Sequence, residues 1–233
     1  MQRLEGLGEE PIEYVLVRRR GRRGIGLRVD AEGLRVSAPI SMPQVRIEAF
    51  LRESERWIVR KLAEWSAKRV PIVEWRDGQA LPYLGERVTL RVSAGGRNRI
   101  ELGEGELRAT VRDPGVHSIE RAVVAWYKRA ALAHLAGRTF TLARIAGFIP
   151  PRVMLSSARS RWGSCNARRE VRLAWRLVKA PPAHIDYVIC HELAHLRHMN
   201  HSRAFWAEVE RQCPAYRELR KELAASDHLY RAF

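Results

Sequence analysis

A chain of 233 residues can bury a sizeable hydrophobic core and form one domain or two. Its first residues contain no apolar segment typical of a signal peptide, and no later apolar run could span a bilayer. We therefore expect no membrane partner. Three cysteines are few and odd in number, which is typical of a reducing compartment, so we expect a cytoplasmic protein. The formal net charge of +16 raises the question of a polyanionic partner.

The first part of the chain is predicted to be rich in β-structure. Alternating apolar residues with Gly-containing turns between them predict short strands within 13–38. Pro43 begins an amphipathic helix that ends before Pro71. The sequence shows no internal repeat. Further strands are predicted at 86–93, about 98–102 and 106–111. We therefore expect an N-terminal, mainly antiparallel β region with one helix.

Asp113-Pro114-Gly115 is a clear break and our predicted boundary between two domains, 1–113 and 114–233. Beyond it, 117–146 has the apolar spacing of a long helix. Two strands follow, at about 152–158 and 170–178, before Pro181-Pro182 opens another helix. The chain is therefore predicted to be α+β, with a C-terminal helical domain that contains a small sheet.

His191-Glu192-Leu193-Ala194-His195 is an HExxH pentad on that helix. Residues four apart share a helical face, so His191 and His195 can both direct an imidazole at one ion. Glu192, about 100° away around the helix, can approach a water at the ion without ligating the metal. Two neutral nitrogens, a third protein ligand and one open position describe a catalytic zinc site rather than a structural one. The pentad therefore predicts a zinc-dependent hydrolase with Glu192 as its general base.

His201 is the favoured third ligand. It lies six residues past His195, which on a continuous helix is the opposite side, so it can reach the ion only if the helix ends first. Met199-Asn200 is the predicted end, because Asn tolerates the left-handed conformation that closes helices. Ser202 would then cap a second helix that starts at Arg203.

Other third ligands stay open. His198 returns to the face of His191, but three ligands along one straight helix would span about 10 Å, a poor fit to one tetrahedral ion. A downstream carboxylate, Glu208 or Glu210, is the remaining alternative, since some HExxH enzymes use Glu. Cys190 adjoins the pentad but points away from His191, so we expect a buried thiol there.

Substrate binding is predicted on the segment before the second of the two C-terminal strands. In HExxH proteases an edge strand beside the metal helix commonly holds the substrate backbone by strand addition. We predict this strand at 156–162, with Gly163 permitting close backbone approach, so Arg161, Trp162 and Gly163 are the candidate substrate-binding residues. The alternative is that Trp162 is a core aromatic and Gly163 only turns a hairpin.

Nucleic acid is a candidate partner through the basic surface. Two arginine clusters could contact phosphates, namely Arg18-Arg19-Arg20 with Arg22-Arg23, and Arg159, Arg161, Arg168, Arg169 and Arg172. The first cluster lies where a hairpin turn is predicted. Only five of the 42 basic residues are lysine, so the charge can also be a solvated surface in which arginine replaces lysine.

Two runs, SRWGSCNARREVRLAWRLVKAP (160–181) and HELAHLRHMNHSRAFW (191–206), resemble the YgjP-like metallopeptidase family, which is related to the WLM and SprT-like zinc proteases. The first half of the chain is also similar, with an arginine-rich strand pair, SAPI (37–40), WI (57–58) and YLGERVTL (83–90). The resemblance therefore extends over nearly the whole chain.

This resemblance implies a zincin-like catalytic domain that acts on a protein or peptide. Its ligands would be His191, His195 and His201, and Glu192 would be the general base. His198 stands where the longer metzincin motif has Gly, a departure that concerns the geometry of the turn.

Two other functional classes remain open. One is a zinc-dependent nucleotide phosphohydrolase, because the same activated water can attack phosphorus and arginines can bind phosphates. The other is a DNA-associated binding module with a structural zinc.

Overall fold

The computed structural model describes residues 2–4, 11–30, 33–67 and 73–233. The chain divides into two compact units, 1–71 and 72–233. Both units combine helices with small sheets, which confirms the predicted α+β class. Within the described residues, no helix is both long and apolar enough to cross a bilayer.

A four-stranded sheet and two helices form the first unit. The strands are β1 (Gln2–Leu4), β2 (Ile12–Arg19), β3 (Gly26–Asp30) and β4 (Gly33–Pro39), and the helices are α1 (Gln44–Glu53) and α2 (Glu55–Ala67). The sequence predicted a single helix after Pro43. Ser54 divides it, although its N–H still bonds to Phe50 O at 3.1 Å. Sheet and helices enclose a small core that contains Tyr14, Leu34, Val36, Ile47, Leu51 and Ile58.

The strand order of this sheet is β1-β2-β4-β3. β2 pairs in parallel with β4, and β3 pairs antiparallel with β4, so β4 lies between β2 and β3. The arginine-rich segment 18–23 is therefore not the turn of a hairpin, and that prediction is wrong. Alternating apolar residues indicate where strands lie but do not identify their partners.

The second unit has two sheets packed around helices. Its elements are β5 (Ala80–Tyr83), β6 (Glu86–Ala94), β7 (Arg99–Gly103), β8 (Glu106–Val111), α3 (Val116–Ile145), β9 (Arg152–Ser156), β10 (Gly163–Cys165), β11 (Glu170–Ala174), a short 3-10 helix (Trp175–Lys179), α4 (Pro182–Ala194), α5 (Arg203–Gln212) and α6 (Tyr216–Arg231). The strand orders are β5-β6-β8-β7 and β10-β11-β9. The predicted strand at 170–178 therefore ends at Ala174, where the chain turns into the 3-10 helix.

The two four-stranded sheets share one topology. In each, the first two strands are antiparallel, the second and fourth are parallel, and the third and fourth are antiparallel. Each sheet is followed by a helix that begins just after a proline-containing turn. The expectation of no internal repeat is therefore wrong at the level of topology, because the two sheets have the same strand order and the same strand pairing.

The turn between β5 and β6 explains why the predicted boundary at 113–114 does not divide the structure. Leu84 N–H donates to Val178 O at 2.7 Å, which fixes this turn against the 3-10 helix. A Cβ on Gly85, whose φ is +84°, would lie 2.8 Å from Pro181 Cα. Leu81, Leu90 and Leu107 share one core with residues of α3 and α4, so the first of the two sheets belongs to the unit that carries the pentad.

The 3-10 helix ends in a fully buried lysine, Lys179. Its Nζ donates to the main-chain oxygens of Ala232 and Phe233, and it lies 5.0 Å from the centre of the Trp175 ring. Burial lowers the pKa of Lys179 to about 6, and the nearby positive charge of Arg176 adds to the effect.

Candidate metal centre

The three candidate histidines converge at the end of α4. His191 lies in its last turn, His195 is its C-cap residue and His201 lies in the following loop. One nitrogen from each ring lies within 4.8 Å of the other two. The structure thus brings together the three residues that the sequence singled out.

The helix ends earlier than predicted. It stops at Ala194 rather than at Met199-Asn200, because Leu196 and Arg197 form hydrogen bonds to residues three positions back, which tightens the last turn. Asn200 does not adopt a positive φ, so the predicted reason for the helix end is wrong. The predicted cap of the next helix is present, since Ser202 Oγ accepts from Phe205 N at 3.4 Å.

The geometry of the three rings fits a zinc-type ion. His191 Nε2 and His201 Nε2 lie 3.2 Å apart. In a tetrahedral site with Zn–N bonds of about 2.0–2.1 Å, adjacent nitrogens are about 3.3 Å apart. Two facing imidazole nitrogens at this separation, with a third nitrogen nearby, form a donor set for a borderline cation such as Zn²⁺.

A hydrogen bond orients the second ring. His195 Nδ1 lies 3.0 Å from His198 O, and because a carbonyl only accepts, Nδ1 carries the proton. His195 Nε2 is then unprotonated and can ligate an ion. His198 contributes its main chain to the site and is not one of the three clustered rings.

Burial keeps the first ring neutral. It lowers the pKa of His191 to about 3, with the neighbouring rings of His195 and His201 adding to the effect. Burial also lowers the pKa of His195, against the opposing effect of its bond to His198. Neutral imidazoles are the form that a metal ion requires.

Glu192 is buried beside this cluster, only 4% exposed. Its Oε2 has no hydrogen-bond partner among the described residues. Burial raises the pKa of Glu192 to about 8, and the positive charge of Arg161 opposes this shift. The Glu192 side chain lies directly against Gly163, where an added Cβ would be 2.4 Å from Oε1 and 2.6 Å from Cγ.

The alternative carboxylate ligands are engaged elsewhere. Glu208 accepts hydrogen bonds from Arg197 at 3.0 Å and Arg211 at 2.6 Å, and Glu210 pairs with Arg217 at 3.1 Å. Burial raises the pKa of Glu208, but its hydrogen bonds outweigh burial and the net pKa is lowered. The Glu208–Arg197 pair joins α5 to the turn that precedes His201, so it fixes the loop that carries the third ring.

Cys190 is buried, as predicted, with its Sγ 4.0 Å from Gln212 O. His184 is also buried, and its Nε2 lies 3.1 Å from a carboxylate oxygen of Glu222 on α6. Neither residue belongs to the histidine cluster.

A cleft of about 350 Å³ opens beside His191 and Glu192. One wall is formed by 160–163, so Arg161, Trp162 and Gly163 all line it. Trp162 is also packed, with the Arg231 guanidinium 4.2 Å from its ring centre, so it both lines the cleft and contacts the core.

The opposite wall comes from α6, which sequence reasoning missed. Arg220, Leu223 and Asp227 are among the residues of α6 that line it. Arg220 is exposed, and its guanidinium lies 5.0 Å from the centre of the Trp206 ring. No local motif marks these residues, because α6 reaches the cleft only through its packing on α4.

The edge strand beside α4 is β10, not the predicted strand at 156–162. β9 ends at Ser156, and 157–162 form an irregular loop. In the antiparallel pair with β11, Trp162 O accepts from Ala174 N and Asn166 N donates to Glu170 O. Because hydrogen-bonded and non-bonded pairs alternate, the peptide groups of Gly163 and Cys165 face away from β11, toward the open edge.

The two arginine clusters are partly engaged within the protein. Arg18 donates to Met42 O at 2.6 Å, and Arg22 donates to Gly24 O at 2.8 Å. In the second cluster, Arg159, Arg161, Arg168, Arg169 and Arg172 are exposed. Contact of these surfaces with nucleic acid stays a prediction.

Comparison with known proteins gives one match. The family model described as YgjP-like, metallopeptidase domain, matches residues 23–226, which is most of the chain. No curated protein and no solved structure matches significantly.

Proposed function

The chain belongs to the YgjP-like metallopeptidase family, and from this premise we propose that it is a zinc-dependent peptidase acting at the His191–His195–His201 centre. The observation that carries the proposal is the convergence of three imidazole nitrogens within 4.8 Å, with the buried Glu192 carboxylate next to them at a cleft. Three nitrogen ligands leave one position of a tetrahedral ion open for chemistry.

Each residue of the centre has a distinct role in the proposed reaction. A bound divalent ion would supply Lewis-acid polarisation of water and of the scissile carbonyl. Glu192 takes a proton from the attacking water and passes it to the leaving amine. The bond from His195 Nδ1 to His198 O holds that ring in its ligating orientation.

The β10 edge supports a peptide as the substrate. Gly163 and Cys165 present peptide groups to the open edge, so an extended chain can add to the sheet there. Gly163 lies against Glu192, so a peptide held at this edge passes beside the proposed general base. Absence of a side chain at Gly163 allows that close approach.

The test is metal-dependent hydrolysis of casein and of a fluorogenic peptide library. We expect activity that a chelator abolishes and Zn²⁺ restores. Glu192→Gln should retain zinc and lose hydrolysis, whereas the matched control Glu210→Gln, on the exposed face of α5, should keep both. Wild-type activity in Glu192→Gln would overturn the assignment of the general base.

A nucleotide phosphohydrolase is the second candidate. Arg161 and Arg220 line the cleft, and neither has an ion-pair partner among the described residues, so both could bind a phosphate. Release of phosphate or pyrophosphate from nucleoside triphosphates, sensitive to the chelator and without peptide hydrolysis, would select this function. Zinc binding with neither activity would instead indicate a structural ion.

A further inference from the structure

A second concave surface lies in the same unit, apart from the histidine cluster. It is a groove of about 820 Å³ between β7, which is the last strand of its sheet, and the first half of α3. Its polar lining consists of Arg97, Asn98, Arg99, Ser118, Arg121 and Arg129, and the other lining residues are small or apolar.

The groove carries positive charge that the protein itself leaves largely uncompensated. None of the described residues that line it carries a carboxylate. Arg99 bonds to Glu101 at 2.6 Å, whereas Arg97, Arg121 and Arg129 have no ion-pair partner among the described residues. All four guanidinium side chains belong to exposed residues. Charges of one sign around a concave surface concentrate the positive potential there.

The dimensions of the groove exceed those of a single phosphate site. Arg121 and Arg129 are eight residues apart on α3, which corresponds to about 12 Å along the helix axis. With a rise of about 3.4 Å per nucleotide, this distance covers about three to four nucleotides of one strand. Arg97 and Arg99 provide a second row of charge on the opposite wall.

Among the residues that the structure describes, no aromatic side chain lines the groove for a base to stack on. Guanidinium groups alone recognise phosphate oxygens, which carry no sequence information. We propose that the β7–α3 groove binds the sugar–phosphate backbone of a nucleic acid duplex without reading its sequence.

The experiment compares two double variants of the full chain that each remove two positive charges from α3. Arg121→Ala/Arg129→Ala removes charges that line the groove, and Lys128→Ala/Arg144→Ala removes exposed charges that do not. Binding of a fluorescein-labelled 20-base-pair DNA duplex is measured by anisotropy over a range of salt concentrations, with and without a chelator.

We expect the groove variant to bind at least about tenfold more weakly at 0.1 M salt. Its plot of log K against log salt should be shallower by about 1.8, as expected for the loss of two phosphate contacts. The control variant should change affinity less than about threefold. The chelator should have no effect, because the groove does not include the histidine cluster.

Several outcomes would overturn the proposal. Equal losses of affinity in the two variants would mean that binding depends on the overall charge of the protein. No binding by the wild type would mean that the groove arginines have another role, such as preventing β7 from pairing with the edge strand of a second copy. Loss of binding with the chelator would place the duplex at the metal centre. Tighter binding of a single strand than of the duplex would contradict a contact with the duplex backbone.

Discussion

Replacement of Gly163 by alanine tests whether close packing of β10 on Glu192 positions the general base. An added Cβ would lie 2.4 Å from Glu192 Oε1, 2.6 Å from Cγ and 2.7 Å from Cδ. Carbon atoms in contact are normally about 3.5 Å apart, so the side chain or β10 must move by about 1 Å. Because Cγ is involved, rotation of the carboxylate alone cannot relieve the contact.

The expected result is a large loss of activity with little loss of metal. A displacement of 1 Å in a reacting group can reduce the rate about 100-fold, equivalent to about 2.7 kcal/mol of barrier. The three atoms nearest to this Cβ all belong to Glu192 and none to an imidazole, so zinc affinity should change less than about threefold. Overpacking should also lower the free energy of unfolding by about 1–3 kcal/mol.

The assay is kcat/KM for the best peptide substrate, together with zinc affinity and thermal unfolding. Gly137→Ala is the matched control, because a Cβ there meets nothing within 4 Å and the residue lies inside α3. This control should keep its activity and gain about 0.5–1 kcal/mol in stability. Gly163→Ala combined with Glu192→Gln should be no slower than Glu192→Gln alone, because both act through one carboxylate.

Wild-type kcat/KM in a folded, zinc-loaded Gly163→Ala would show that the packing of β10 on Glu192 does not position the general base. Strict additivity in the double variant would show the same, since it would mean that Gly163 acts independently of Glu192.

Three further predictions concern the ligands, the loop and a buried lysine. His201→Ala should lower zinc affinity at least about 100-fold, whereas His198→Ala, which keeps its main-chain acceptor, should lower it little; the reverse result in a zinc titration would reassign the third ligand. Glu208→Gln should reduce the free energy of unfolding by about 1–2 kcal/mol and weaken zinc binding, because Arg197 then loses the carboxylate that fixes the loop. An unchanged zinc dissociation constant would contradict this role of Glu208. Lys179→Met should be more stable than the wild type near pH 6.5, and this difference in the free energy of unfolding should narrow by up to about 1.4 kcal/mol per pH unit toward pH 8.5. If denaturant unfolding gives the same difference at every pH, Lys179 stays charged in the folded protein.

The direction of the last effect follows from proton uptake on unfolding. Burial lowers the pKa of Lys179 from its ordinary value of 10.5 to about 6. Between these values the unfolded chain binds more protons than the folded protein, so the stability of the wild type rises with pH. The methionine variant lacks this proton, and comparison with it cancels the titration of all other groups.

Local sequence was sufficient to predict which three histidines converge in the structure. The four-residue spacing of His191 and His195 and the capping residue Ser202 are short-range features, and the structure places them as expected. The exact end of α4 was not predictable in this way. It depends on the hydrogen bonds that Leu196 and Arg197 form to residues three positions back. The residues at these positions are equally compatible with a further helical turn, so the sequence alone does not fix the end of the helix.

Long-range packing determined what the sequence did not reveal. The pairing of β2 with β4 joins strands that are not consecutive, so alternation of apolar residues could not identify it. The Asp113-Pro114 turn has the composition of a linker, yet Gly85 packs on Pro181 and so joins the sheet that precedes this turn to the start of α4. Arg220 reaches the cleft from α6 only because that helix packs on α4, and no motif precedes it.

The most direct test of the central claim is a crystal of the protein grown with Zn²⁺ and measured on both sides of the zinc absorption edge. We predict one anomalous peak about 2.0–2.1 Å from a nitrogen of each of His191, His195 and His201, with a fourth position facing the cleft and Glu192 outside the ligand sphere. A peak elsewhere, a fourth protein ligand that closes the site, or no peak between these three rings would contradict it.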